Sequence, residues 1–127
     1  MRRLLLSLLT WLCVSVSAAA PLAPAARTEI DGLMNRLEAS GCKFQRNGSW
    51  HTAVEARSHL LRKLKYLEDR GAVNSAEQFI ELAASSSSLS GEPYRVRCAN
   101  GAPVTSRAWM LSQLQALRSA PGATKAP

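Results

Sequence analysis

Two histidines and one glutamate are the side chains of this sequence whose spacing is most suggestive of chemistry. His51, Glu55 and His59 follow one another at intervals of four residues, which places them on one face of a helix, with Lys63 a turn later. Two ligands four residues apart can share one metal ion, but His51 and His59 would lie about 12 Å apart along a helix. That separation is too large for one zinc ion, whose bonds to nitrogen are about 2.0–2.1 Å. A metal would need further ligands that the sequence does not identify, so we predict no metal and no cofactor. We expect Glu55 to bond a neighbouring histidine or Lys63.

A run of four serines, residues 85–88, is the second candidate for chemistry. A serine nucleophile needs an adjacent base that is held by a third group, and the bases available are His51, His59 and Lys63. None of these serines lies in a Gly-x-Ser-x-Gly elbow. We therefore predict no catalytic residue, and we keep a small periplasmic hydrolase that uses histidine and serine in a polar cleft as the alternative function.

The amino terminus has the pattern of a secretory signal peptide. Arg2 and Arg3 precede an apolar run over residues 4–16 and small residues over 17–20, the order found in exported proteins. The apolar run is about 13 residues long, whereas a membrane-spanning helix needs about 20. We predict a cleaved signal peptide over residues 1–19, a periplasmic location and an Ala/Pro-rich leader over residues 20–26. An uncleaved anchor is the alternative.

The predicted mature chain is basic and keeps two cysteines. The formal net charge is +7 and becomes +5 once the two positive charges of Arg2 and Arg3 are removed. Basic residues interleaved with acidic ones are typical of a solvated surface, and neither the compartment nor the aromatic residues favour nucleic acid. Cys42 and Cys98 are expected to pair in an oxidising compartment, where the bridge would close a loop of about 57 residues and contribute about 4 kcal/mol. Two free thiols are the alternative.

Hydrophobic periodicity predicts four helices. The first covers residues 27–39 and stops at Gly41. The second runs to about residue 69, with Val54 in its apolar stripe, and the third is short. In chain order, the predicted cap residues at the helix starts are Thr28, Thr52, Ser75 and Ser106.

Two short segments, residues 42–46 and 94–98, alternate as β-strands do. In an antiparallel register the facing pairs are Cys42 with Cys98, Phe44 with Val96, and Arg46 with Tyr94. This register brings the cysteines together and leaves Lys43, Arg95 and Arg97 on a second, cationic face. We predict a mostly α (α+β) fold, with about four helices and a small two-stranded antiparallel ribbon closed by one disulfide. It forms a single domain over residues 27–118, with a disordered tail over 119–127.

Several strings of residues are shared with a family of exported proteins. They are Phe44-Gln45-Arg46-Asn47-Gly48, His51-Thr52, Glu55-Ala56, His59-Leu60, Lys63, Ala76-Glu77-Gln78-Phe79-Ile80, Ala84-Ser85-Ser86-Ser87-Ser88, Gly91 and Pro93-Tyr94. Over about residues 27–118 the chain resembles the YfeK-like family, a domain of unknown function in exported proteins of Gram-negative bacteria. The resemblance implies a periplasmic protein without an assigned activity. The shared polar positions are Arg46, Asn47, His51, Glu55, His59, Lys63, Glu77, Ser86, Ser87 and Tyr94.

We expect a periplasmic binding or interaction module of unknown ligand. Its candidate polar site comprises Arg46, Asn47, His51, Glu55, His59, Lys63, Ser86, Ser87 and Tyr94. The expected partner is a periplasmic protein or an envelope ligand, with no nucleic acid and no stable membrane insertion after cleavage. Residues 90–94 also match the Ser-Gly-x-x-Tyr signature of periplasmic lysozyme inhibitors, a third candidate function. Those inhibitors are largely β, and a charge of +5 after the removal of Arg2 and Arg3 would repel a cationic lysozyme.

Overall fold

The computed structural model describes residues 12–15 and 21–120. Most of the predicted signal peptide, and the predicted tail beyond residue 120, lie outside the described residues. Over the described ranges, no helix is both long and apolar enough to cross a bilayer.

Four helices and four strands make up the described chain. The helices are α1 (Pro24–Ser40), α2 (Ala53–Glu68), α3 (Ala76–Ala83) and α4 (Ser106–Ser119). The strands are β1 (Lys43–Arg46), β2 (Ser49–His51), β3 (Arg95–Arg97) and β4 (Val104–Thr105). They form one antiparallel sheet in the order β2-β1-β3-β4. The fold is therefore mostly helical with a small sheet, as predicted.

The prediction of a two-stranded ribbon was wrong, because the sheet has four strands. The two central strands were predicted, and their register is confirmed: Phe44 pairs with Val96 and Lys43 with Arg97. The two outer strands have only three and two residues, too few to show an alternating pattern. At one edge, β2 follows β1 through a tight turn in which Asn47 and Gly48 both have positive φ, 49° and 79°. Asn-Gly is the preferred pair for such hairpin turns.

The predicted disulfide is confirmed. Cys42 and Cys98 are bonded, with Cα atoms 4.2 Å apart. They flank β1 and β3, whose register places them opposite each other. The segment between α3 and β3, residues 84–94, contains the four serines and is called the serine loop. The bridge therefore joins the end of α1 to the end of the strand that follows the serine loop.

Two helix starts differ from the prediction. α1 begins three residues earlier, at Pro24, with Ala23 at its N-cap, because the fixed φ of proline suits the first turn of a helix. Thr28 lies inside that helix, and its hydroxyl donates to the carbonyl of Pro24. α4 is capped by Thr105, whose hydroxyl accepts from the amide of Ala108, and not by Ser106. The predicted caps Thr52 and Ser75 are confirmed.

The helices cover one face of the sheet and enclose the core. From the sheet, Phe44 and Val96 point into this core and are 1% and 0% exposed. On α1 the apolar residues that recur at helical spacing are fully buried: Ile30, Leu33, Met34 and Leu37. On α2 the stripe is Ala53, Ala56, Leu60 and Leu64. Val54 was wrongly included, because it lies about 100° around the helix from Ala53 and is 56% exposed.

Candidate functional site

A buried tyrosine lies at the centre of the candidate site. Tyr94 immediately precedes β3 and is 1% exposed. Its ring packs against Phe44 with centroids 5.1 Å apart, which fixes the direction of the hydroxyl. The hydroxyl oxygen lies 3.1 Å from Nε2 of His59 and 3.2 Å from Nζ of Lys63. Because His59 and Lys63 are four residues apart on α2, both reach the same oxygen.

The other nitrogen of His59 is occupied by an arginine. Nη1 of Arg46, at the end of β1, lies 2.5 Å from Nδ1 of His59. A guanidinium has donors only, so Nδ1 accepts this bond and has no proton. The proton of the neutral imidazole is then on Nε2, where it donates to Tyr94. The network thus assigns a neutral His59 in its Nε2–H tautomer.

These bonds leave donors available for a ligand. The hydroxyl oxygen of Tyr94 accepts from both His59 and Lys63, so its own proton points away from them. Lys63 also donates to the backbone carbonyl of Ser86 at 3.1 Å, which uses two of the three ammonium protons. Arg46 uses one of its five N–H groups on His59. The arrangement therefore has unused N–H and O–H donors.

The pKa values follow from burial and from the positive charges. Burial, with the charges of Arg46, Lys63 and Arg62, lowers the pKa of His59 from 6.5 to about 4. Burial and then Arg46 lower the pKa of Lys63. Burial raises the pKa of Tyr94. In the described part of the chain, no carboxylate lies within ion-pair distance of Arg46 or Lys63.

His51 and Glu55 lie at the rim of the site. His51 is in β2 and not on the helix, and its Nδ1 lies 3.1 Å from Oε2 of Glu55. This is the bond to a neighbouring histidine that the spacing suggested. Among the described hydrogen bonds, Glu55 makes none to His59 or Lys63, so the three residues at four-residue spacing are not one hydrogen-bonded chain.

The serine loop is held in place by hydrogen bonds within the loop and by hydrogen bonds to α2 and to the β1–β2 turn. Ser87 is 6% exposed, and its hydroxyl accepts from the amides of Leu89 and Ser90. The Ser86 backbone forms a bridge with Pro93, and its carbonyl receives Lys63. The hydroxyl of Ser90 donates to the side-chain oxygen of Asn47 at 2.7 Å. Asn47 therefore ties the β1–β2 turn to the loop.

Two adjoining clefts open beside these residues. One, of about 440 Å³, extends from Tyr94 and Lys63 to the serine loop. The other, of about 370 Å³, lies against α2. Arg46, His51 and His59 line both clefts. Arg62 lines the cleft against α2 and Leu89 lines the cleft at the serine loop; neither was in the predicted site. Arg62 could have been inferred from its position three residues after His59, but Leu89 gave no polar signal.

One shared polar position lies elsewhere in the structure. Glu77 is on α3 and forms an ion pair with Arg118 of α4 at 2.5 Å, and Arg118 also contacts Glu29 of α1 at 2.6 Å. The hydrogen bond from Arg118 lowers the pKa of Glu77. Glu77 therefore joins three helices and does not reach the clefts.

The geometry provides no serine nucleophile with a base. Among the described residues, no serine hydroxyl is hydrogen-bonded to a histidine, and Ser85 donates to the carbonyl of Ile80. The Nδ1 lone pair of His59 is occupied by Arg46. With a pKa of about 4, His59 is also a weak proton acceptor at neutral pH. The ring of Tyr94 in the inhibitor-like motif is buried, and its hydroxyl faces the cleft, so the residue does not project from the surface towards a partner protein.

Comparison with known proteins gives a family without an assigned activity. A family of unknown function, DUF5329, matches residues 24–118. The chain is 44% identical over 66 residues to an uncharacterized protein, YfeK, of Salmonella typhimurium, which covers 51% of this chain and 53% of that protein. The chain thus spans about half the length of the curated relative it matches. No solved structure matches the chain.

Proposed function

Because this chain belongs to DUF5329, a family of unknown function, we propose its function from the geometry of the clefts: it is a binding module for a small oxyanion. The ligand would be a phosphate or carboxylate group. It would sit between the β1–β2 turn, α2 and the serine loop. The proposal rests above all on one observation: Arg46 donates to the neutral His59 and Lys63 to the neutral Tyr94, and neither cation has a carboxylate partner in the described structure.

The charge balance supports an anion as the missing partner. Partly buried cations are costly to leave unpaired. Burial, together with the positive charge of Arg46, lowers the pKa values of His59 and Lys63. An oxyanion has several acceptor atoms that fit the remaining donors of Arg46, Lys63 and Tyr94. A cationic ligand would be repelled by Arg46 and Lys63, and the carboxylate of Glu55 at the rim is already bonded to His51.

We also propose that binding takes place outside the cytoplasm. The amino-terminal pattern of charged, apolar and small residues is typical of export, and the Cys42–Cys98 bridge is stable in an oxidising compartment. The ligand would then be a periplasmic metabolite or an exposed group of the cell envelope.

Thermal unfolding of the full chain in inorganic phosphate tests the proposal. The reference is sodium chloride of equal ionic strength, so that screening is matched. A ligand at 100 times its Kd stabilises a protein by about 2.7 kcal/mol, and we expect phosphate or a dicarboxylate such as succinate to raise the melting temperature. Arg46→Gln and Lys63→Gln should abolish the rise.

The matched control is Arg36→Gln. Arg36 is a half-buried cation on α1 that bonds Gln113 and does not line either cleft. This variant should keep the full response to the anion. Equal responses from Arg36→Gln and Arg46→Gln would show a general effect of charge and would overturn the proposal.

A further inference from the structure

The outer face of the sheet, opposite the helices, has three exposed cations. Lys43 and Arg97 are directly paired across β1 and β3, and Arg95 is two residues from Arg97 on the same face. All three are exposed. Like charges directly opposite each other destabilise a sheet. This arrangement therefore lowers the stability of the isolated protein, and a bound anion would relieve it.

Carboxylates are segregated from this face. None of the four strands contains Asp or Glu. In the described chain, the cations paired with carboxylates lie on helices: Arg27, Arg57, Lys65, Arg107 and Arg118. No ion pair of the described residues involves the three cations of the outer face. Their charge is consequently available to a partner.

A tryptophan lies on the same face beneath one of these cations. Trp50 of β2 pairs with Gln45 of β1, and the guanidinium of Arg97 lies 4.6 Å from the centre of its ring. Because β1 separates β3 from β2, Arg97 extends across the sheet and spreads its charge over the surface. The stacking also leaves the edge N–H groups of the guanidinium free.

We propose that this outer face docks on an anionic lipid surface. A bilayer presents phosphate groups in a plane, and three cations spread over neighbouring strands about 4.8 Å apart match such a plane. Tryptophan is favoured at the membrane–water interface. A second copy of the chain would meet the same three positive charges and be repelled. The proposal is independent of the oxyanion site in the clefts.

Binding of the full chain to phosphatidylglycerol vesicles tests this docking. The test variant is the triple change Lys43→Gln, Arg95→Gln and Arg97→Gln. Since each cation near an anionic surface contributes about 1 kcal/mol, the partition coefficient should fall by about 100-fold at low salt. On phosphatidylcholine vesicles the variant and the wild type should bind equally. All variants share the same apolar amino-terminal segment, so the ratio of their coefficients reports the outer face.

The control removes the same net charge from the far ends of the helices. Arg27→Gln, Lys65→Gln and Arg70→Gln lie near the start of α1 and the end of α2, away from the strands. Circular dichroism establishes that each variant is folded. A fall of less than about fivefold in the control supports the proposal, since charges that do not lie against the bilayer are farther from the phosphates and are screened more strongly. Equal falls in both triple variants would overturn it. So would an effect seen on soluble dextran sulfate but not on vesicles, because the face would then bind a polymer.

Discussion

Nδ1 of His59 accepts a hydrogen bond from Nη1 of Arg46 across 2.5 Å. The histidine is therefore neutral, and its remaining proton is directed to Tyr94. Lys63 approaches the same hydroxyl from α2. The positive charge of the site is thus held by Arg46 and Lys63, while His59 and Tyr94 position them.

The neutral state of His59 predicts a specific loss of stability in acid. Its pKa is about 4 in the folded protein, against 6.5 for an ordinary histidine. Between these values the unfolded chain binds a proton and the folded chain does not, so the free energy of unfolding falls as the pH drops from about 6.5 to about 4. Denaturant unfolding at pH 7.5 and 4.5 measures this loss. The variant His59→Gln should lose less stability than the wild type, and equal losses would contradict a neutral His59.

The hydroxyl of Tyr94 should contribute measurably to stability. Tyr94→Phe keeps the packed ring but removes the acceptor of two hydrogen bonds. We expect the free energy of unfolding to fall by about 1–2 kcal/mol. The control is Tyr66→Phe, because Tyr66 is 57% exposed and its stacking with Arg70 depends on the ring. Its stability should change by less than about 0.5 kcal/mol, and a similar loss in both variants would contradict the assigned network.

The disulfide should be a large part of the stability. Cys42 and Cys98 are 56 residues apart in sequence, for which loop entropy predicts about 4 kcal/mol. The double change Cys42→Ala and Cys98→Ala should lower the free energy of unfolding by up to this amount. Cys13 is free and exposed and provides the control when the uncleaved full chain is used: Cys13→Ala should have no effect. If the bridge is fully reduced, as verified by thiol titration, and the free energy of unfolding is unchanged, the bridge contributes nothing.

The inward face of α2 can be tested with two apolar positions. Leu60 is 0% exposed and Val54 is 56% exposed. Leu60→Ala should cost about 2–5 kcal/mol, whereas Val54→Ala should cost less than about 0.5 kcal/mol. Urea unfolding of both variants measures the difference. A costly Val54→Ala would place the core on the other side of the helix.

The sequence predicted those parts of the fold that have a strong local signal. The capping residues Thr52 and Ser75 have a side chain that can accept from an amide three residues later, and both do so. The register of β1 and β3 followed from placing Cys42 opposite Cys98. The edge strands β2 and β4 could not be predicted, because three and two residues are too few to show an alternating pattern. Only their pairing with β1 and β3 identifies them as strands.

The site was predicted as a set of residues but not as a network. Spacing of four residues placed His59 and Lys63 on one helix face, yet their common partner Tyr94 is 31 residues further along the chain than Lys63. Sequence spacing also suggested Glu55 as the partner of His59, whereas Arg46 of β1 is the partner. Such contacts depend on how strands and helices pack, which local patterns do not encode.

Isothermal titration of the full chain with inorganic phosphate tests the central claim most directly. Wild type and Arg36→Gln should bind with the same affinity and a stoichiometry near one, measured in chloride of constant ionic strength. Arg46→Gln should weaken binding by at least about 10-fold, since a hydrogen bond to a charged group is worth about 1.5–3 kcal/mol. Saturable binding that is unaffected by Arg46→Gln, or no heat with either phosphate or succinate, would contradict an oxyanion site in the clefts.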